Sequence, residues 1–344
     1  MQILYGIQTT GNGHICRSRE VIRELKKLGH EVHVLFSGRK PAMLSELEEF
    51  EPHQTFNGLT FCTNRGKLKY FQTAFRLDFF QFYRDIASFD GSGYDLVITD
   101  FEPISARIAR RKSLPSIGVG HQYAFVHDIP MGGDNPIARF VMKNFAPADY
   151  PVGLHWHHFD QPILPPIVPR EIDRYDKRID NKILVYLPFE QLNEVLALLE
   201  PFRHYEFFIY HRLSRAEDSG HIHLRPYSRS DFLNDLIECT GVISNAGFEL
   251  ASEAMFLGKK ILVKPLAGQM EQLSNALVID SLELGMVMKR LNIAKVARFL
   301  AGPAGPPVKF PNVALMVADW IESGQWEDME GLAKKAWQQT ALPI

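Results

Sequence analysis

The chain has 344 residues, 46% of them hydrophobic and 23% charged, and its 38 basic and 40 acidic side chains leave a net charge of −2. A single core stops growing at roughly 250–300 residues, so two domains are expected. The near-neutral balance gives no general electrostatic drive toward nucleic acid or an anionic membrane.

Cys16, Cys62 and Cys239 are odd in number and far apart. That spacing excludes a disulfide framework and a zinc cluster, and fits a reducing cytoplasm. The opening MQILYGIQTTGNGH lacks a signal-peptide pattern, and no window reaches the roughly 18 apolar residues of a spanning helix. The expected location is cytoplasmic, with peripheral membrane contact left open.

In chain order, Ile3 to Gln8 is a strand, Ser18 to Leu28 an amphipathic helix closed by Gly29, and Glu31 to Phe36 a second strand. Phe71, Phe75, Phe79 and Phe82 recur at helical spacing within Lys67 to Ile86, with Lys67, Lys69, Arg76 and Arg84 around them. That pattern suits either a core-facing helix or one lying on a membrane or lipid surface. Asp95 to Thr99 and Ser116 to Val119 are short strands around the helix Ile104 to Lys112, a βαβ rhythm.

A proline-rich passage from Asn144 to Asn181 reads as a connection. The rhythm restarts with strand Ile183 to Leu187, helix Gln191 to Leu199, strands Glu206 to Tyr210 and His223 to Arg225, and helix Asp231 to Ile237. Then comes GVISNAGFELASEAMFLGKKILVKPLAGQMEQLSNA: strand Gly241 to Ile243, the turn Ser244-Asn245-Ala246-Gly247, a helix with Glu249 and Glu253, and strand Ile261 to Leu266. A last helix is expected near Val313 to Glu322. The fold class is α/β, with two tandem Rossmann-like domains facing a cleft. The expected divisions are a first domain at 1–150, a connection at 151–181, a second domain at 182–302, and a segment at 303–344 packing back on the first domain.

Open parallel sheets bind ligands beyond the carboxyl ends of their strands. Thr9-Thr10-Gly11-Asn12-Gly13-His14 lies there in the first domain and Ser244 to Gly247 in the second. Glycine lets a backbone approach a ligand closely, and a helix amino end favours phosphate. Gly11 and Gly13 fit a GxGxxG pattern only in part, since Cys16 holds the third glycine position and no acidic residue ends the second strand. No GK[ST] ending makes a Walker A loop.

The second-domain run resembles the donor signature of GT-B-fold glycosyltransferases, especially the family 28-like branch that adds N-acetylglucosamine to the lipid-linked peptidoglycan precursor. The loop TTGNGHICRSREVIREL is similar to the histidine-ended loop that opens those enzymes. The order of elements fits nearly the whole chain, while specific matching covers residues 1–38, 94–104 and 224–285.

The resemblance implies that Asn245, Ala246 and Gly247, with Ser244 and Gly13 beside them, hold the donor diphosphate. It further implies that Glu253 takes the ribose hydroxyls, that Gln269 and Gln272 face the sugar, and that Tyr227 lies where the base is held. Gly11 and Asn12 fall on the acceptor side. Glu249 and Glu253 are four apart on one helical face, a like-charge arrangement that a bound ribose would explain. The other reading of Glu253 is a solvated side chain or a partner of Lys259 or Lys260.

His14 is the leading candidate for chemistry, because an imidazole exchanges a proton near neutrality. Its alternative role is to cap its own loop. Asp100, at a strand end, either orients His14, acts as the base itself, or caps the next helix. His121 and Gln122 share this sheet edge, within reach of acceptor or donor. Arg212 is the cation suggested by position. His155-Trp156-His157-His158 lacks a nearby carboxylate or thiolate and is discounted as a metal site.

The expected activity is transfer of a sugar from a nucleoside diphosphate sugar, a UDP-sugar in the first instance, to an acceptor hydroxyl, inverting and without metal or other cofactor. The acceptor is unnamed, with lipid-linked and glycan hydroxyls both open. Two alternatives stand beside it: a nucleotide-sugar hydrolase in which His14 activates water, and a non-catalytic donor-binding subunit of a membrane glycosyltransferase.

Overall fold

A computed structural model describes residues 1–38, 47–59, 63–64, 67–68, 78–133, 136–174 and 178–341. The first part of the chain runs β1 (Gln2–Gln8), α1 (Asn12–Lys27), β2 (Glu31–Ser37), β3 (His53–Phe56), a short antiparallel ribbon of β4 (Thr63–Asn64) and β5 (Lys67–Leu68), and α2 (Phe79–Ser88). It continues with β6 (Leu96–Asp100), α3 (Pro103–Lys112), β7 (Ser116–Gly120), α4 (Pro136–Asn144) and β8 (Tyr150–Gly153). The larger strands form a six-stranded sheet in the order β3-β2-β1-β6-β7-β8, every neighbouring pair parallel. Ile3, Leu4, Tyr5 and Ile7 are all buried, the continuous apolar run that a parallel strand covered on both faces requires.

The second part contains β9 (Lys182–Tyr186), α5 (Leu192–Leu199), β10 (Glu206–Tyr210), β11 (Glu217–Ser219), β12 (Ile222–Arg225), α6 (Arg229–Glu238), β13 (Gly241–Asn245) and α7 (Phe248–Phe256). It closes with β14 (Lys260–Lys264), α8 (Met270–Ser281), β15 (Met286–Val287) and α9 (Ile293–Ala301). Its seven strands lie in the order β11-β12-β10-β9-β13-β14-β15, with β11 alone antiparallel to its neighbour. The expected architecture, two Rossmann-like sheets of parallel strands, is therefore present.

Beyond the second sheet, α10 (Val313–Ser323) and α11 (Met329–Gln338) return to the first. Val317 and Ile321 share one core with Ile22 and Leu25 of α1. Trp326 meets Tyr150 of β8 edge to face at 5.6 Å, and Trp337 Nε1 donates to the Ile163 carbonyl at 2.6 Å.

Several boundaries differ from expectation for identifiable reasons. Tyr150–Gly153, inside the proline-rich passage, is a strand paired with β7, because Pro151 sits on a sheet edge where a missing N–H is tolerated. The helix expected from Ser18 begins at Asn12, so Gly13 and His14 lie in its first turn. Ser244 and Asn245, expected in a turn, are the last two residues of β13, and Pro265 ends β14 two residues short of Leu266. Within Lys67 to Ile86, the description covers 67–68 and 78 onward, so Phe71, Phe75 and Arg76 lie outside it. On α2, Phe82 and Ile86 are buried while Phe79, Phe80 and Tyr83 face outward.

At Gly6 the sheet has no room for a side chain. A Cβ there would lie 1.9 Å from Ser105 Oγ and 2.5 Å from Ser105 Cβ on α3. Gly6→Ala is expected to lower the unfolding free energy by about 1–3 kcal/mol in urea titrations, and Ser105→Gly in the same chain to restore part of it.

Candidate active site

The site begins with one face of α1. His14, Arg17 and Ser18, at i, i+3 and i+4, all converge on Asp100 at the carboxyl end of β6. His14 Nδ1 lies 2.7 Å from Asp100 Oδ1, Arg17 Nε donates to Oδ2 at 2.7 Å, and Ser18 Oγ donates to Oδ2 at 2.9 Å. Arg17 Nη2 completes a two-pronged grip on Oδ1. Asp100 has no exposed surface. Burial opposes its charged form, but Arg17 and His14 outweigh that and hold the carboxyl below its ordinary value.

Both Asp100 oxygens are thus engaged by α1, one of them by His14. The helix capping open to it is performed next door by Glu102, which accepts from Ile104 N at 2.8 Å and from Ser105 N at 2.5 Å. Arg17 Nη2 also lies 2.7 Å from His14 Nδ1, yet its protons are taken by Asp100 and by Gln122 Oε1 at 3.1 Å. The Nδ1 proton therefore points at Asp100, and the Nε2 lone pair is left to receive a proton.

Phe101, immediately after Asp100, has φ 49°, a left-handed conformation that costs a non-glycine residue roughly 1–2 kcal/mol. Its ring is held in place by Tyr123 and Phe145, at 6.0 and 5.2 Å.

The opposite wall is the amino end of α7. Gly247 is its N-cap and provides no side-chain cap. Ser244 Oγ and Asn245 Oδ1 are buried at the end of β13 with no hydrogen-bond partner among the described residues, while Asn245 Nδ2 donates to the Lys264 carbonyl. Buried polar atoms are normally paired, so these two are unused hydrogen-bonding capacity, the Ser244 hydroxyl able to donate to an anion at the helix end and Asn245 Oδ1 only to accept.

Glu249, in the first turn, reaches across the domains to Arg17 Nη1 at 2.5 Å. Burial pushes its carboxyl up to about 7, against the pull of Arg17. Glu253, one turn on, is 7% exposed and is pushed up to about 8 by burial first and then by Glu249; Arg229 pulls the other way. Glu253 is thus neither solvated nor a lysine partner. Lys259 Nζ donates to the Ile237 carbonyl, and Lys260 Nζ to those of Leu300 and Gly302.

The remaining candidates divide between cleft and framework. Gly11 and Asn12 open α1, and Gly13 packs so tightly that a Cβ would meet Glu249 Cγ at 2.5 Å. Tyr227 is 44% exposed and sits edge to face with Tyr186 at 5.9 Å. Gln269 is the half-buried N-cap of α8.

Gln272 instead serves the framework, since its Oε1 accepts from Leu266 N at 2.9 Å. His121 is fully buried and stacked on Phe248 at 4.0 Å. Its Nδ1 lies 2.8 Å from the Leu154 carbonyl and its Nε2 2.7 Å from Asn275 Oδ1, while Asn275 Nδ2 holds the Ala246 carbonyl at 3.0 Å. Gln122 is also spent on bridging, donating to Glu271 Oε2 at 3.0 Å. His121 and Gln122 therefore tie the first sheet to α8 and the Ala246 loop.

His155 is fully buried, its Nδ1 accepting from Trp156 N. No group of three or more His, Cys, Asp and Glu side chains among the described residues is arranged to hold a metal, and no described helix is long and apolar enough to cross a membrane.

Arg17, Glu271 and Asn275 were not singled out from the sequence. The signal for Arg17 was the His14-x-x-Arg17-Ser18 spacing, readable only if the helix starts at Asn12. Glu271 and Asn275 act through a domain contact that carries no local signature.

The profile of Glycosyl transferase family 1 matches residues 1–302. Among solved structures, the glycotransferase of kitacinnamycin superposes with a TM-score of 0.59 at 15% identity, over 98% of this chain and 95% of its own. The spinosyn rhamnosyltransferase SpnG complexed with thymidine diphosphate gives 0.57 at 12% identity, over 97% and 96%. LpCGTa in complex with UDP gives 0.58 at 15%, over 97% and 98%. No curated protein matches the chain. At these identities the structural likeness establishes the GT-B fold, and the profile, spanning most of the chain, establishes the family: this protein belongs to glycosyl transferase family 1 and is a glycosyltransferase of the GT-B type.

Proposed function

We propose that the chain transfers a sugar from a pyrimidine nucleoside diphosphate sugar to an acceptor hydroxyl, with inversion at the anomeric carbon and without a bound metal. One arrangement carries the reading. The His14–Asp100 pair of the first domain meets the uncapped amino end of α7, joined to it through Arg17, with Glu253 one turn further on.

In this reading His14 Nε2 accepts the acceptor proton as the new glycosidic bond forms. The bond from the anomeric carbon to the phosphate oxygen breaks, and its electron pair leaves with the nucleoside diphosphate. The free N–H groups and dipole of α7 favour that charge, so a cation is not required for it. Ser244 offers an unpaired hydroxyl to the diphosphate and Asn245 Oδ1 an acceptor to a donor hydroxyl, Glu253 accepts the ribose hydroxyls, and exposed Tyr227 stacks on the base.

The thymidine diphosphate named with SpnG and the UDP named with LpCGTa support a pyrimidine base. The acceptor is placed among lipid-linked or glycan hydroxyls. Phe79, Phe80 and Tyr83, exposed near Arg84, give the first domain an apolar face with a basic flank that suits such a substrate.

His14→Ala is expected to lower turnover by about 10²–10⁴-fold, with donor affinity by calorimetry unchanged within about threefold. Full turnover in that variant would remove His14 from the chemistry. Rapid release of free sugar from UDP-sugars or dTDP-sugars without any acceptor would replace transfer by hydrolysis.

Glu253 gives a second test. Its folded carboxyl keeps its proton up to about 8, whereas the unfolded chain releases it near the ordinary value of 4.5. Between those limits the folded state binds more protons, so this group's contribution to stability falls as pH rises from 4.5 to 8. Glu253→Gln is expected to flatten that part of the Tm-against-pH curve and to raise Tm at pH 8–9. Measured above pH 8, where the carboxyl is ionised, it should also weaken donor binding by about ten- to a hundredfold, as loss of hydrogen bonds to a charged group does. Unchanged donor affinity in Glu253→Gln would sink the ribose assignment.

A further inference from the structure

The first turns of α1 and α7 meet at one place. Both have glycine N-caps without side-chain caps, and α1 has no acidic residue of its own in its first turn. Arg17, 3% exposed, lies at the same place. Two helix amino ends and a buried guanidinium concentrate positive potential; Asp100 answers two prongs of the guanidinium, and Glu249, pressed against Gly13, answers Nη1. Nε and Nη2 of Arg17 stay on Asp100, so Nη1 is the prong that Glu249 alone engages.

Glu249 is one of the first two residues of α7, beside the free N–H groups of its first turn, and the buried Ser244 hydroxyl at the end of β13 has no partner among the described residues. A diphosphate at that helix end therefore meets the carboxylate within reach of the same cation.

We propose that Glu249 is an internal stand-in for the donor diphosphate, and that Arg17 Nη1 passes from Glu249 to the phosphate and stays with it as the bond to the sugar breaks. This rests on the donor reading above and adds a cation to it that the first domain supplies, whereas Arg212, suggested by position, is exposed. The exchange moves no covalent bond. In the transfer step the electron pair of the breaking bond goes to the phosphate oxygen, and Arg17 donates a hydrogen bond to that developing charge. Arg17 thereby couples departure of the leaving group to the Asp100 that orients His14.

The test is a double-mutant cycle read by calorimetry, with UDP, UMP, dTDP and dTMP as probes. Glu249→Gln removes the competing charge and is expected to raise the preference for diphosphate over monophosphate about tenfold. Arg17→Lys keeps a cation beside Asp100 and the chain folded, but cannot span both sites, and is expected to lower that preference by about ten- to a hundredfold. In the double variant the gain from Glu249→Gln should vanish.

If wild type binds either diphosphate but Arg17→Lys leaves the preference intact, or if the Glu249→Gln gain persists without Arg17, the stand-in is overturned and the donor reading survives. If wild type binds neither diphosphate, both fall.

Discussion

The buried pair of Asp100 and Arg17 is the constraint on which the site depends. A carboxylate with no exposed surface is tolerated because a guanidinium grips both its oxygens, and breaking such a pair costs about 3–5 kcal/mol by leaving a charge unanswered. Its position follows from the fold. Parallel pairing sets Ile7 of β1 opposite Asp100 of β6, and α1, which follows β1, must start within a few residues and lie across that strand end. Once it does, helical spacing presents His14, Arg17 and Ser18 to one carboxylate. The imidazole is oriented as a by-product of the same geometry that stabilises the charge.

That pair also explains why the two domains meet as they do. Arg17 has more donors than Asp100 can use, and the surplus goes to Gln122 and, across the interface, to Glu249. Gln122 continues to Glu271, and neighbouring His121 continues to Asn275 and through it to the Ala246 carbonyl. The polar contacts are arranged in chains, each fixing the next group's orientation. Such a network is rigid when complete and sensitive when one member changes.

Much of this architecture was legible in the residues because burial on both faces of a parallel sheet leaves uninterrupted apolar runs, as in Ile3 to Ile7, and because Gly, Pro and Lys mark helix ends. The start of α1 was not legible. Gly11, Asn12 and Gly13 look like a loop, since neither glycine favours a helix and no Ser, Thr or Asp caps it; contacts with Asp100 and α7 hold the first turn instead. With that turn unread, Arg17 lost its face. Ser244 and Asn245 were misplaced for a related reason: small polar residues resemble a turn, and only pairing with Val263 and Lys264 reveals the strand. Glu253 stood out as a carboxylate four residues from Glu249, but its burial was not legible, because Glu20 and Arg229, which act on it in the fold, are distant in sequence. His121 and Gln122 lay on the expected sheet edge, yet their partners on α8 are some 150 residues away, beyond any local pattern.

The return of α10 onto α1 has a bearing on how the protein is made. The outer face of the helix that holds His14 and Arg17 is covered by Val317 and Ile321, which are synthesised long after it. At the usual pace of synthesis, roughly 5–20 residues per second, the intervening stretch of about 290 residues takes some tens of seconds. During that interval the first sheet can form while an apolar stripe of α1 stays wet and the second domain is assembled. α10 and α11 then close the first domain as well as follow the second, so the helix that holds His14 and Arg17 stays partly uncovered until a stretch beyond the second sheet has been made.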